Sequence, residues 1–229
     1  FVAERGIPLV FGAYDADEER EYNAAILLER DDAGRTGFDA YRKARLFPLT
    51  EHVPAVLDSD AVRAWLPWLG TWRAGASANV FAVEGLGGLR VAPLVCYDAV
   101  DPALPRRAVR DGAQLLVTLS NDAWFASGDG PLQHFVVAGF RSIETRTPQV
   151  RATTTGVSAI VTATGETLAL AGVGERATLI ASVVPSRSPV TLQLLWGDWF
   201  PPAILAVSIV VLLARRRATP SSGSPRSTP

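Results

Sequence analysis

The sequence is poor in several residue types that carry chemistry: among 229 residues it has no methionine, one cysteine and two histidines. The single cysteine, Cys96, excludes an internal disulfide framework and leaves a free thiol. Basic and acidic residues nearly balance at 22 and 23, so the composition does not indicate a nucleic-acid surface. Because the chain starts at Phe1 and lacks methionine, we expect it to be the C-terminal portion of a longer protein.

Lysine is as scarce as cysteine. Of the 22 basic residues only Lys43 is a lysine, and all the others are arginines. An arginine does not give up its proton in a protein, whereas lysine is a compact ammonium that its surroundings can tune. A solvated lysine is the ordinary alternative, but its uniqueness makes Lys43 a candidate functional residue.

The length of the chain suits one domain, or one domain with an appendage. Apolar runs predict strands, and helical spacing of apolar residues predicts intervening helices. The predicted strands are residues 7–13, 22–29, 89–95, 114–119, 149–153, 158–162 and 178–184, and the predicted helices are residues 61–69, 105–112 and 132–145. This alternation predicts an α/β domain with a mixed sheet over residues 1–190.

The C-terminal part of the chain differs in composition. Residues 199–214 carry no charge, and Arg215, Arg216 and Arg217 follow at once. Together with the preceding apolar residues they reach the roughly 20 residues that a bilayer requires, and tryptophans and arginines at the two ends are typical anchors. We therefore expect a transmembrane helix over residues 191–217 and a disordered tail over residues 218–229. The alternative is a buried C-terminal helix of a soluble domain.

Cys96 follows a strand-like run, Leu89–Val95, at the point where the chain turns polar. Strand ends of this kind expose reactive groups in α/β folds, although a lone cysteine in an apolar run is also a common core residue. A thiol reacts as its thiolate, so it needs a neighbouring base or cation. The chain has two histidines, His52 and His134, and neither lies in a local sequence that is typical of a catalytic base.

Four segments together resemble a known family. They are YRKARLFPLTEHVP (residues 41–54), LVCYDAV (94–100), LLVTLSNDAWF (115–125) and the stretch from GPLQHF to ATGE (130–166). In this order they resemble apolipoprotein N-acyltransferases, the membrane-embedded branch of the nitrilase, or carbon–nitrogen hydrolase, superfamily. The resemblance implies a nitrilase-like αββα sandwich, here N-terminally truncated and followed by one C-terminal transmembrane helix.

The resemblance also implies roles for individual residues. Cys96 is the implied nucleophile, Lys43 the lysine that stabilises the oxyanion, and Glu51 an auxiliary glutamate. The backbone N–H of Tyr97 is an implied second oxyanion donor. Two positions depart from the family pattern: Asp98 stands where a glutamate is usual, and Thr50 where a glycine is usual.

One implied residue is absent. The family's general-base glutamate precedes the region that matches residues 1–13, and Glu4 lies in surroundings that do not match it. We therefore expect little or no activity from this chain alone.

The implied reaction is acyl transfer from a phospholipid, through a cysteine thioester, to the N-terminal amine of a lipidated apolipoprotein, without a metal or organic cofactor. Trp124 and Phe125 are candidate contacts for the acyl chain or the membrane, as are the tryptophans between residues 65 and 72; ordinary core aromatics are the alternative. The implied location is the bacterial inner membrane, with the catalytic domain extracytoplasmic and the tail cytoplasmic. Two other functions stay open: a soluble-type amidase or nitrilase, and a catalytically incomplete structural module.

Overall fold

The computed structural model describes residues 1–218 except residues 19, 32, 55, 69, 126, 127 and 188. Its strands are β1 (Leu9–Ala16), β2 (Glu21–Arg30), β3 (Thr36–Arg42), β4 (Phe81–Val83), β5 (Leu89–Val95), β6 (Leu115–Ser120), β7 (Gln149–Thr153), β8 (Ser158–Val161) and β9 (Thr167–Ala171). Its helices are α1 (Val2–Arg5), α2 (Asp60–Trp65), α3 (Ala103–Arg110), α4 (Gly130–Thr145), α5 (Leu192–Trp196) and α6 (Phe200–Ala218), with short 3₁₀ turns at Glu84–Leu86 and Cys96–Ala99.

The strands form two sheets over the described residues. One is an antiparallel sheet in the order β1-β2-β3, and the other has the order β4-β5-β6-β7-β8-β9. In the larger sheet β5, β6 and β7 run parallel, and the pairs at both sides are antiparallel. The mixed sheet predicted from the sequence is therefore confirmed.

The core lies on both faces of the larger sheet. β2 of the smaller sheet packs on one face of β5, and α3 packs on the other. Parallel strands that are covered on both faces are mostly apolar, in agreement with the apolar residues 91–95 of β5 and 115–117 of β6. Leu27, Leu94 and Leu116, from β2, β5 and β6, are at most 1% exposed.

This layering brings reactive positions together at one edge. The parallel strands β5, β6 and β7 all end at the same edge, so Cys96, Asn121 and Thr154 follow neighbouring strand ends. The described structure contains two sheets and a helical layer formed by α3 and α4. Among the described helices, only α1, a single helical turn, packs extensively on β2 of the smaller sheet. The fourth layer of the αββα sandwich thus stays a prediction.

Three observed strands, β3, β4 and β9, were not predicted from the sequence, and the strand predicted over residues 178–184 was wrong. β3 is an exposed edge strand with little apolar alternation, so its sequence resembles a loop. Residues 178–184 alternate between half-buried and exposed, as an extended segment does, but they form no strand in the described structure. Instead β9 pairs with β8, because the turn at Gly165 returns the chain directly along β8.

The single helix expected over residues 191–217 is also corrected. α5 ends at Gly197, whose φ of 67° breaks the helix, and α6 begins only at Phe200. Leu194 of α5 is buried, so this short helix packs on the domain. Among the helices that the structure describes, none is both long enough and apolar enough to span a membrane. Apart from residue 218, the tail predicted over 218–229 lies outside the described residues.

We expect Leu116→Ala to lower the free energy of unfolding by about 2–5 kcal/mol, because it opens a cavity in the hydrophobic core. Leu116 is fully buried, whereas Leu170 on β9 is 52% exposed and serves as a matched control. Urea unfolding of the two variants checks the prediction. Equal losses for Leu116→Ala and Leu170→Ala would show that β6 is not at the centre of the core.

Candidate active site

Cys96 occupies a strained position directly after β5. It opens the 3₁₀ turn Cys96–Ala99, is half-buried, and has a φ of 50°. A residue with a β-carbon is uncommon in the left-handed region and adopts it only where the surrounding structure enforces it. A sharp strand-to-turn elbow of this kind exposes a side chain at the sheet edge, as nucleophile elbows do.

Lys43 is buried beside the sheet edge and forms an ion pair with Glu51. The side chain of Lys43 is 1% exposed, and its Nζ lies 2.8 Å and 2.6 Å from the two carboxylate oxygens of Glu51. Burying a charge is costly unless it is paired and hydrogen-bonded, and this pair meets both conditions. The contact gives the ammonium a fixed direction.

Glu51 is itself held by two further donors. The side-chain Nδ2 of Asn23, on β2, donates to Oε1 at 2.8 Å, and the backbone N–H of Phe47 donates to Oε2 at 2.7 Å. Both carboxylate oxygens are therefore occupied. The buried ion pair between Lys43 and Glu51 thus holds together the two ends of the loop over residues 43–51.

Asp98 connects the segment that carries Lys43 to the segment that carries Cys96. Its fully buried carboxylate accepts hydrogen bonds from the hydroxyl of Tyr41, the backbone N–H of Arg45 and the backbone N–H of Val95, at 2.9, 2.7 and 2.9 Å. Burial raises the pKa of Asp98, although these three hydrogen bonds oppose the shift. Burial and the neighbouring Asp98 also raise the pKa of Tyr41.

Two cavities meet at Cys96. The first, of about 610 Å³, is bordered by β1, the Lys43–Glu51 pair, Cys96 and the ends of β6 and β7. The second, of about 430 Å³, is lined mainly by apolar side chains, including Phe47, Tyr97, Val100, Trp124 and Phe125. Cys96, Glu51, Asn121 and Trp124 border both cavities. The thiol thus lies between a cavity with charged walls and an apolar one.

A second group of buried charged residues lies behind Cys96. Asp122 pairs with Arg151 at 2.9 Å, and both side chains are 0% exposed. The Nδ1 of His134 lies 2.9 Å from Oδ1 of Asp122, and its Nε2 lies 3.3 Å from the carbonyl oxygen of Cys96. Burial opposes ionisation of Asp122, but hydrogen bonds from His134 and Ser120 and the charge of Arg151 lower its pKa overall. Burial lowers the pKa of Arg151.

The structure brings six of the residues named from the sequence to this edge, whereas Trp65 and Trp68 line neither cavity. Lys43, Glu51 and Cys96 share one cavity, and Tyr97, Trp124 and Phe125 line the other. The ring of Tyr97 packs edge-to-face on Phe47 with centroids 5.0 Å apart. Trp65, Trp68 and Trp124 are 65–77% exposed, so these three are not core aromatics. Among the described residues, no group of three or more His, Cys, Asp or Glu side chains is arranged to hold a metal ion.

Comparison with known proteins agrees with this geometry. A sequence model of the family described as "Carbon-nitrogen hydrolase" matches residues 1–189. The chain belongs to the carbon–nitrogen hydrolase family. The fold is similar to that of an amidase from Nesterenkonia sp., with a TM-score of 0.55, 23% identity, and coverage of 75% of this chain and 59% of the amidase.

Within the carbon–nitrogen hydrolases, this chain is similar to apolipoprotein N-acyltransferases. It is 30% identical over 224 residues to apolipoprotein N-acyltransferase 2 of Treponema denticola, covering 95% of this chain and 42% of that protein. It is 33% identical over 210 residues to the apolipoprotein N-acyltransferase of Geobacter metallireducens, covering 90% of this chain and 39% of that protein. The chain therefore spans less than half the length of these relatives.

Sequence reasoning missed Asp122 and Arg151 and left His134 without a role. Arg151 lies in the middle of the strand Gln149–Thr153, which packs between two other strands. A charged residue at such a position has to find a buried partner, and this was the available indication. The partner is Asp122, which lies 29 positions away along the chain, so only the folded structure identifies it.

We expect Glu51→Ala to lower the free energy of unfolding of this chain by about 3–5 kcal/mol, because it leaves the Lys43 ammonium buried and unpaired. Glu51→Gln keeps an acceptor oxygen near Nζ, so its loss should be smaller. Urea unfolding measures both.

Asp58→Ala is the control, since it removes an ion pair with Arg63 in which both side chains are more than a third exposed. We expect no measurable change in that variant. A Glu51→Ala protein as stable as Asp58→Ala would show that Lys43 is not held as a buried charge.

Proposed function

We propose that this chain carries the nucleophile of an acyltransferase, which moves an acyl chain from a phospholipid through a Cys96 thioester to the N-terminal amine of a lipidated apolipoprotein. The observation that carries the proposal is the strained Cys96 elbow, opening into the same cavity as the buried Lys43–Glu51 pair. The names of the similar proteins support the choice of reaction.

The first half-reaction forms the thioester. The Cys96 thiol loses its proton to a general base, and the thiolate sulfur attacks the carbonyl carbon of a phospholipid ester. The carbonyl π electrons move to oxygen, and the resulting tetrahedral oxyanion collapses with cleavage of the carbon–oxygen bond. The lysophospholipid leaves as an alcohol after it takes up the proton, and Cys96 keeps the acyl group.

The second half-reaction transfers the acyl group. The amine of the acceptor attacks the thioester carbonyl, a second tetrahedral oxyanion forms, and the carbon–sulfur bond breaks. The amine nitrogen loses a proton, and the thiol of Cys96 is regenerated. The product is an amide, so the reaction needs neither an oxidant nor a reductant.

In this proposal Lys43 stabilises the oxyanion of both half-reactions. A charged donor fixed before the reaction is effective because it does not have to reorganise when charge develops. Glu51 directs the ammonium of Lys43 as an auxiliary residue, and the backbone N–H of Tyr97 is a second donor to the oxyanion. The general-base glutamate implied by the resemblance has no counterpart in this chain, so we expect the chain alone to turn over slowly.

The two cavities suggest where the substrates bind. The apolar cavity of about 430 Å³ suits the acyl chain, which would contact Trp124 and Phe125. The cavity that contains Lys43 suits the polar ester and, later, the incoming amine. Cys96 borders both, as a residue that carries an acyl group between two substrates should.

We further infer that a bacterial inner membrane covers α6. Nine large apolar side chains of this helix are 45–65% exposed: Phe200, Ile204, Leu205, Val207, Ile209, Val210, Val211, Leu212 and Leu213. Exposed apolar surface of this kind is typical of lipid or protein contact, and the arginines that follow favour a cytoplasmic C-terminal end. The catalytic domain would then be extracytoplasmic. Removal of residues 199–229 should abolish co-flotation of the chain with phospholipid vesicles, and undiminished flotation would contradict the inference.

The acyl-transfer proposal is tested with a phospholipid radiolabelled in its acyl chain. We expect the chain to acquire label that hydroxylamine releases, as a thioester requires, but only slowly, because the general-base glutamate has no counterpart in it. Cys96→Ser should acquire no label in that form. Lys43→Met should reduce the rate of labelling by at least about 100-fold, the typical effect of removing an oxyanion donor. Release of label to an added lipidated peptide with a free N-terminus measures the second half-reaction.

Exposed Arg35→Met is the matched control for Lys43→Met, and its labelling should equal that of the unmodified chain. Hydroxylamine-sensitive label in a Cys96→Ala variant would contradict the assignment of the nucleophile. Hydrolysis of small amides without any labelling by phospholipid would favour the amidase alternative.

A further inference from the structure

His134 contacts the backbone of Cys96 from the first turns of α4. Its Nε2 lies 3.3 Å from the Cys96 carbonyl oxygen, and the side chain is 6% exposed at the wall of the apolar cavity. This contact joins a helix to the strained residue at the end of β5. It is therefore a candidate for the restraint that keeps the φ of Cys96 at 50°.

The neighbours of Nδ1 decide whether Nε2 carries a proton. Asp122 Oδ1, an acceptor, lies 2.9 Å from Nδ1, and Arg151 Nη2, a donor, lies 3.1 Å from it. In the doubly protonated ring, Nδ1–H donates to Asp122 and Nε2–H donates to Cys96. In the neutral ring protonated at Nε2, Nδ1 accepts from Arg151, and Nε2–H again donates to Cys96.

Only the remaining state, the neutral ring protonated at Nδ1, would turn a lone pair toward the Cys96 carbonyl. Two acceptors would then face each other, which is unfavourable at 3.3 Å. In the neutral ring protonated at Nε2, the lone pair of Nδ1 faces the Asp122 carboxylate oxygen at 2.9 Å, which is unfavourable for the same reason. The doubly protonated ring is therefore the state in which both nitrogens donate to the acceptors they face, Asp122 and the Cys96 carbonyl. The pair that Asp122 forms with Arg151 is held in place by Ser120, which donates to Asp122, and by Val157, whose carbonyl accepts from Arg151.

The packing around Asp122 is tight enough to require a glycine at the neighbouring position 156. A β-carbon at Gly156 would lie 2.1 Å from Asp122 Oδ2, so only a glycine lets the backbone approach this closely. Asp122 follows the end of β6, His134 lies on α4, and Arg151 lies in the middle of β7. His134 also borders the apolar cavity, whereas Asp122 and Arg151 line neither of the two cavities at Cys96.

We propose that His134 is a positioning residue for Cys96: its Nε2–H holds the Cys96 carbonyl, with the ring oriented by Asp122 and Arg151. The proposal rests on the assignment of Cys96 as the reacting thiol in the proposed function. Its role is to orient the nucleophile, and no proton is transferred between His134 and the substrate. Loss of the contact should let the elbow relax and reduce the reactivity of the thiol.

A pair of amide variants separates this role from ordinary packing. Asparagine at 134 places its N–H₂ near the position of Nδ1, within reach of Asp122 but not of Cys96. Glutamine at 134 places its N–H₂ near the position of Nε2, within reach of the Cys96 carbonyl. Both remove the imidazole, so a purely structural role predicts similar effects for the two.

The readout is the rate at which iodoacetamide alkylates the 229-residue chain at neutral pH. Because Cys96 is the single cysteine, the reaction reports on this thiol alone. We expect His134→Asn to be about fivefold to tenfold slower than the unmodified chain, the effect of one lost hydrogen bond, and His134→Gln to stay within about threefold. Thermal unfolding of both variants verifies that they are folded.

Equal rates for the Asn and Gln variants, whether slow or unchanged, would overturn the proposal. If His134→Asn does not fold, His134→Ala takes its place, and added imidazole should restore its alkylation rate; no restoration would overturn the proposal as well. A chain that shows the expected difference but forms no thioester with phospholipid would count against the proposed function alone.

Discussion

The site depends first on the buried carboxylate of Asp98. It accepts hydrogen bonds from Tyr41 and Arg45, on either side of Lys43, and from Val95, directly before Cys96. Lys43 and Cys96 come from segments attached to different sheets, and one carboxylate joins these segments. Because three donors occupy it, the carboxylate is kept in place even though burial raises its pKa. The backbone N–H groups of Arg45 and Val95 approach closely enough for the short side chain of Asp98 to accept from both.

Apart from Asp98, the described charged groups that are buried near Cys96 form ion pairs. Lys43 pairs with Glu51, and Arg151 pairs with Asp122. Paired charges give directed electrostatics at a tolerable cost in desolvation, whereas a single buried charge would destabilise the fold by several kcal/mol. The two pairs lie on opposite sides of the Cys96 elbow, one bordering a cavity and the other behind the backbone. The elbow is thus constrained from both sheets and from α4.

Much of the larger sheet was predictable from the sequence. The strands Leu89–Val95 and Gln149–Thr153 were predicted with the bounds they have. For the first strand the reason is its apolar run over residues 91–95, which is typical of a strand buried on both faces. β3 was missed and residues 178–184 were wrongly assigned, because edge strands and extended loops differ in backbone pairing and not in composition. The helix break at Gly197 was missed because an apolar stretch on either side of a glycine gives the same hydropathy whether or not the helix continues.

By itself the sequence determined which groups are available: one thiol, one lysine, and a polar turn after a buried strand, in an order that resembles the carbon–nitrogen hydrolases. Only the tertiary structure decided that Asp122, His134 and Arg151 meet behind Cys96, and that Cys96 adopts a left-handed backbone between two cavities. The physical reason is that local apolar patterning specifies strands and helices, whereas the partner of a buried charge is selected by packing between segments that lie far apart in the chain. The sequence indicates that a charged side chain in a buried strand needs a partner, but only the tertiary structure shows which residue that partner is.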